Sequence, residues 1–161
     1  MGFFSRLFGM DNSATDEKPA AEAADPTSMM GLDAKSVASV LAEIDIDTAI
    51  AAHENWKLRL QNYLNGNSTE NLQPDIICMD DRCDLGKWLH GPGGQRLGKY
   101  PAFSVLVARH KFFHVQASTV VAMAQANDKD QASKTLEGSY RHASNQVVLL
   151  LKELKRGLGQ R

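Results

Sequence analysis

Cysteine is scarce, with only Cys78 and Cys83 in 161 residues, which excludes a disulfide-stapled fold. Long apolar runs are missing as well. No stretch approaches the roughly 20 residues that span a bilayer. The N-terminal MGFFSRLFGM has no extended apolar core and no small-residue cleavage site, so a secretory signal is not expected. Lys and Arg number 18 against 19 Asp and Glu, and the basic residues are scattered. A nucleic-acid surface needs them clustered, so no nucleic-acid partner is expected. No segment alternates apolar and polar residues for any length, which argues against strands. These absences leave a cytoplasmic, reducing, helical protein. In that setting a Cys near several His reads as a metal ligand sooner than as half of a bridge.

What is present divides the chain into three parts. In residues 1–10, Phe3, Phe4, Leu7 and Phe8 share one helical face. The spacing suits a short amphipathic segment that docks a partner or a membrane surface. Arg6 stands where myristoylation wants Ser or Thr. Residues 11–32 are rich in Ala, Asp, Glu, Ser, Thr and Pro and offer little to bury, so they read as a disordered linker. Residues 33–161 carry helical patterning throughout.

Asp33 can cap a helix to about Ile44, and Asp45 or Asp47 can cap the next. That second helix carries the stripe Ile46, Ala49, Ile50, His53, Trp56, Leu60, Tyr63, Leu64, with a period of about 3.6. A short helix is expected around Cys83 to Leu89, ended by a turn at Gly91-Pro92-Gly93-Gly94. After Pro101 comes the stripe Phe103, Leu106, Val107, His110, Phe113, His114, Ala117, Val120, Val121, Ala124. A last helix follows Asn127-Asp128, with Leu136, Tyr140, Ala143, Val147, Leu150, Leu151, Leu154 and Leu158 aligned. The expected fold is all-α: an antiparallel up-and-down four-helix bundle with a short extra helix carrying Cys83.

Three of the five histidines interrupt apolar stripes. A lone His in such a place is ordinarily a core residue bonded to a carbonyl or hydroxyl, and an HxxxH pair arises often by chance. Three buried imidazoles ask for a shared explanation, because each costs free energy without a partner. His110 and His114 lie four apart on one helical face. His53 can face them from another helix, and Cys83 can enter from the short one. Three imidazoles and a thiolate complete a tetrahedral shell that suits zinc, although ligand type alone leaves copper and iron open. A filled shell leaves no position for substrate. No HExxH arrangement supplies a base, so an enzyme is not expected, and a di-iron bundle lacks its inward carboxylates.

The run Cys83-Asp-Leu-Gly-Lys-Trp-Leu-His-Gly91 is similar to the C-x-L-G-x-W-x-x-G of the chemoreceptor zinc-binding (CZB) domain family. The likeness extends through Pro101-Ala-Phe103-Ser-Val-Leu106 into His110-Lys-Phe-Phe-His114, and back to His53-Glu-Asn-Trp56, covering about Ile44 to Leu154. The resemblance implies a stand-alone member that binds Zn2+ through His53, Cys83, His110 and His114. Leu85, Gly86 and Trp88 fall on the family's signature positions. Leu85 and Trp88 would anchor the short helix, Gly86 would let it approach its neighbour, and Trp56 would cover the site. His90 and His142 read as solvent-facing.

The resemblance further implies bacterial signal transduction, as in chemotaxis receptors or diguanylate cyclase systems, with the chain responding to zinc availability or to thiol oxidation. Its output would pass through a partner protein or a homodimer. A structural or zinc-buffering protein is the other reading. Cys78 is an additional thiol, either a loop residue or a redox partner for Cys83 if the backbone brings their Cα atoms within about 7 Å.

Overall fold

The computed structural model describes residues 31–160, so the expectations for residues 1–10 and for most of 11–32 lie outside the described residues. Every regular element among the described residues is helical. In chain order they are α1 (Ala34–Glu43), α2 (Ile46–Leu64), α3 (Pro74–Ile77), α4 (Asp84–His90), α5 (Pro92–Leu97), α6 (Pro101–Gln125), α7 (Lys129–Thr135), a π-helical turn (Leu136–Tyr140) and α8 (Arg141–Gly157).

Local chemistry explains the starts. Asp33 accepts the Ser36 N–H at 2.7 Å, Asp45 that of Thr48 at 3.0 Å, and Asp128 that of Gln131 at 3.2 Å. Each satisfies a backbone donor that the first helical turn leaves unpaired. Of the two candidate caps for α2, Asp45 does the capping. Asp47 instead pairs with Lys155 of α8 at 2.8 Å. Proline opens α3, α5 and α6, where its missing N–H costs nothing.

α6 is the central element and packs against α2, α3, α7, the π turn and α8. Its Phe113, Ala117, Val120 and Val121 are fully buried, as are Leu60 of α2 and Tyr140, Ala143, Val147 and Leu151 of the last helical stretch. Burial of each large apolar side chain stabilises the fold by about 1.5–3 kcal/mol. No described helix is long and apolar enough to cross a membrane.

Two local expectations are corrected. Gly91-Pro92-Gly93-Gly94 does not simply turn the chain: Gly91 makes the bend, and Pro92 then begins α5. The second glycine matters, because a Cβ at Gly93 would lie 2.7 Å from the Trp88 ring. The last helix is also not uniform. Ala132, Leu136 and Tyr140 are all buried at two successive steps of four residues, which outrun a 3.6 repeat. The wider π turn absorbs the surplus and keeps all three on the core side.

α1 is fastened to the α4–α5 pair by one carboxylate. Glu43 accepts the indole N–H of Trp88 at 3.2 Å and the Arg96 Nε–H at 2.7 Å.

Candidate metal centre

The regular periods of α2 and α6 put His53, His110 and His114 inside the core, where they are 3%, 0% and 4% exposed. Cys83 reaches the same point by a different route. It is the N-cap of α4, and its Sγ accepts the Gly86 N–H at 3.3 Å. Leu85 and Trp88, both buried, hold that helix on the core. One ligand-type atom from each of the four residues lies within 4.8 Å of every other.

The ring orientations decide which nitrogens meet. His53 Nδ1–H donates to the Ala49 carbonyl at 2.7 Å, and His114 Nδ1–H to the Ile77 carbonyl at 2.8 Å. Both rings therefore present a bare Nε2 inward, and that of His53 has no hydrogen-bond partner. His110 Nε2 sits 3.2 Å from His114 Nε2 and 3.3 Å from Cys83 Sγ. A tetrahedral zinc ion with bonds of about 2.0–2.1 Å to nitrogen and 2.3 Å to sulfur separates neighbouring donors by roughly 3.3–3.6 Å. The observed spacing fits such an ion, and facing lone pairs at this range repel unless a cation or proton lies between them.

The electrostatics point the same way. Burial lowers all three imidazoles from their usual range, and His110, further lowered by His114 and His53, falls to about 3. They are neutral at ordinary pH, the form that binds metal. Burial pushes the Cys83 thiol up, aided by the charges of Asp84 and Asp80 and opposed by the Gly86 and Leu85 N–H groups. A cation at the centre is what would turn that thiol into a thiolate.

The remaining expected residues fall in different places. Trp56 is half-buried, with the Arg59 guanidinium 3.9 Å above its ring. It lines a cleft of about 340 Å³ together with Cys83, His114, Ile77 and Met79, so the centre is reached from solvent along its sulfur side. Gly86 does allow a close approach, though to the preceding loop and not to another helix: a Cβ there would stand 1.7 Å from the Asp80 carbonyl oxygen. Cys78 is outside the group of four, its thiol directed to the Asp75 carbonyl at 3.2 Å, and both cysteines are free. His142 is exposed. His90 is exposed as well, and its Nε2–H donates to Asp80 at 2.7 Å. Asp80 is the residue that sequence reading misses: its carboxylate lies 3.7 Å from His110 Nδ1. Burial would raise it, but the His90 hydrogen bond and the attraction of that imidazole hold it below its ordinary value.

No curated protein and no solved structure matches the chain. A family model described as the chemoreceptor zinc-binding domain matches residues 53–121, a shorter span than the expected Ile44–Leu154. It begins at His53 and contains all four residues of the cluster. The family is a zinc-binding one and not a catalytic one, and the cluster is close enough to hold the ion. Over residues 53–121 the chain is thus similar to a zinc-binding domain, and the match and the cluster together make zinc its cofactor.

Proposed function

We propose that His53, Cys83, His110 and His114 are the four zinc ligands, and that the protein is a regulatory module reporting zinc availability or thiol oxidation to a partner protein or through homodimerisation. The observation that carries this reading is the convergence of three buried, neutral imidazole nitrogens on one sulfur. When bound, zinc would hold the sulfur as a thiolate and cross-link α2, α4 and α6. Four protein donors fill a tetrahedral shell and leave no position for substrate, which favours a sensor or a structural site over an enzyme. An up-and-down bundle of α1, α2, α6 and the last helical stretch, with α4 as the extra element, is the arrangement proposed to carry it.

The cleft along the sulfur side supports a sensing role over zinc storage. A peroxide can reach Cys83 there: one oxygen transfers to Sγ as the O–O bond breaks and hydroxide leaves, giving the sulfenic acid. Three histidines would then remain to hold zinc, and α4 would lose its link to the centre. Cys78 is a candidate resolving thiol, five residues before Cys83.

Metal analysis tests the centre. Wild-type protein should carry zinc near one per chain, and Cys83→Ser and His110→Ala should each lose most of it. Zinc retained in both variants would refute the ligand set. The switch is tested by comparing zinc-loaded, metal-free and peroxide-treated protein for oligomeric state and partner capture. Identical behaviour of all three would reduce the protein to a structural or buffering role. Peptide mass spectrometry after oxidation should find the Cys78–Cys83 disulfide if Cys78 resolves the sulfenic acid.

A further inference from the structure

Metal-bound histidines ordinarily donate the second ring N–H to a carbonyl or carboxylate, which fixes the tautomer and strengthens the donor nitrogen. Two of the three histidines meet this rule with backbone oxygens, Ala49 for His53 and Ile77 for His114. The third does not. His110 is fully buried, its Nδ1 has no hydrogen-bond partner, and the acidic group closest to that nitrogen is Asp80, with Oδ2 at 3.7 Å.

Asp80 is itself held in place. Its side chain is 14% exposed, and the same Oδ2 accepts the His90 Nε2–H at 2.7 Å. Its backbone carbonyl lies 3.9 Å from Cys83 Sγ and abuts Gly86 so closely that no side chain fits between them. One residue thus borders two of the four donors, His110 through its carboxylate and Cys83 through the loop. His90 continues the chain of contacts to the surface.

We infer that Asp80 is the positioning residue of the centre, steadying the His110 ring through Nδ1–H and so setting the affinity for zinc, with His90 holding Asp80 to that task. The inference rests on His110 and Cys83 being ligands. It requires Nδ1 and Oδ2 to close by about 1 Å to reach the 2.7–2.9 Å of a charge-assisted hydrogen bond. A side-chain swing or a small ring tilt covers that distance.

The test is zinc affinity by competition with a chromophoric chelator, on full-length protein confirmed as folded by circular dichroism. Asp80→Ala should weaken zinc by about 10- to 100-fold, the range for loss of an outer partner of a ligand. Asp80→Asn, which keeps an acceptor without the charge, should fall between Asp80→Ala and wild type. His90→Gln, whose amide still donates, should stay nearer wild type than His90→Ala. A distant acidic control, Glu70→Gln, should be unchanged. In zinc-loaded, nitrogen-15-labelled protein, the downfield His110 Nδ1–H proton should be present in wild type and lost in Asp80→Ala. A merely structural role would lower thermal stability while leaving the affinity of the folded protein and that proton unmoved, and this result would overturn the inference. If Cys83→Ser weakens zinc but Asp80→Ala does not, only the positioning role fails. If Cys83→Ser does not weaken zinc either, the ligand set fails with it.

Discussion

The three core histidines are a burden to the metal-free fold, and their titration shows it. Each is held below its ordinary value by burial, His110 to about 3. Above about pH 6.5 the rings are neutral both folded and unfolded, so they contribute no pH dependence. As pH falls below that value the unfolded chain takes up protons that the folded chain refuses, and stability is lost, for His110 down to its folded value near 3. His110 alone should cost about 2 kcal/mol between pH 6.5 and pH 5. Urea denaturation of metal-free protein at the two pH values checks this, and an unchanged midpoint would contradict it. The same burden gives a second expectation. His53 carries a buried Nε2 with no partner, so His53→Leu should raise the melting temperature of the metal-free protein while abolishing zinc binding. Removing an unsatisfied polar atom stabilises a core even where it destroys function.

Among the elements, α4 is the short helix that Cys83 begins, and it is held closely by the loop before it. The Asp80 carbonyl oxygen leaves no room for a Cβ at position 86. Gly86→Ala should therefore push α4 from its loop, displace Cys83, and lower zinc content even if overall helicity survives. Circular dichroism beside metal analysis separates those two effects. Phe113 of α6 tests the core beneath the centre. It is fully buried, and its ring lies 5.0 Å from His53 and 5.4 Å from Tyr140. Phe113→Ala should cost about 3–5 kcal/mol of stability, read as a lower denaturation midpoint.

Helices of this kind are legible because their apolar repeat and their Asp caps are local. The stripe through His53, and that through His110 and His114, could be read from spacing alone. What could not be read depends on packing between distant segments. Nothing near Gly91-Pro92-Gly93-Gly94 announces that α5 will lie on Trp88. The carbonyls of Ala49 and Ile77 carry no signature in the sequence. Asp80 is one of two adjacent aspartates, and only the folded loop turns it, and not Asp81, toward His110.

For the whole molecule, the arrangement is a set of long helices that bury the three histidines and a peripheral α1–α4–α5 group that brings Cys83 to them at the start of α4. Removing zinc should loosen the periphery before the core. Hydrogen exchange of metal-free against zinc-loaded protein should speed up most in Leu85–Leu89 and least in Val120–Val121, whose side chains sit deep in α6. Equal acceleration in both stretches would mean that the ion holds the entire fold together, as expected of a purely structural metal.

The Glu43 clasp then acquires a mechanical meaning. One carboxylate grips both the Trp88 indole and the Arg96 guanidinium, so α1 has a handhold on the very helix that Cys83 begins. Residues 1–30 precede α1 in the chain. If α4 shifts when zinc leaves, the clasp would carry that shift into α1, and Glu43→Ala should cut the rope without touching the anchor: zinc binding intact, and the α1 amides deaf to whether zinc is there.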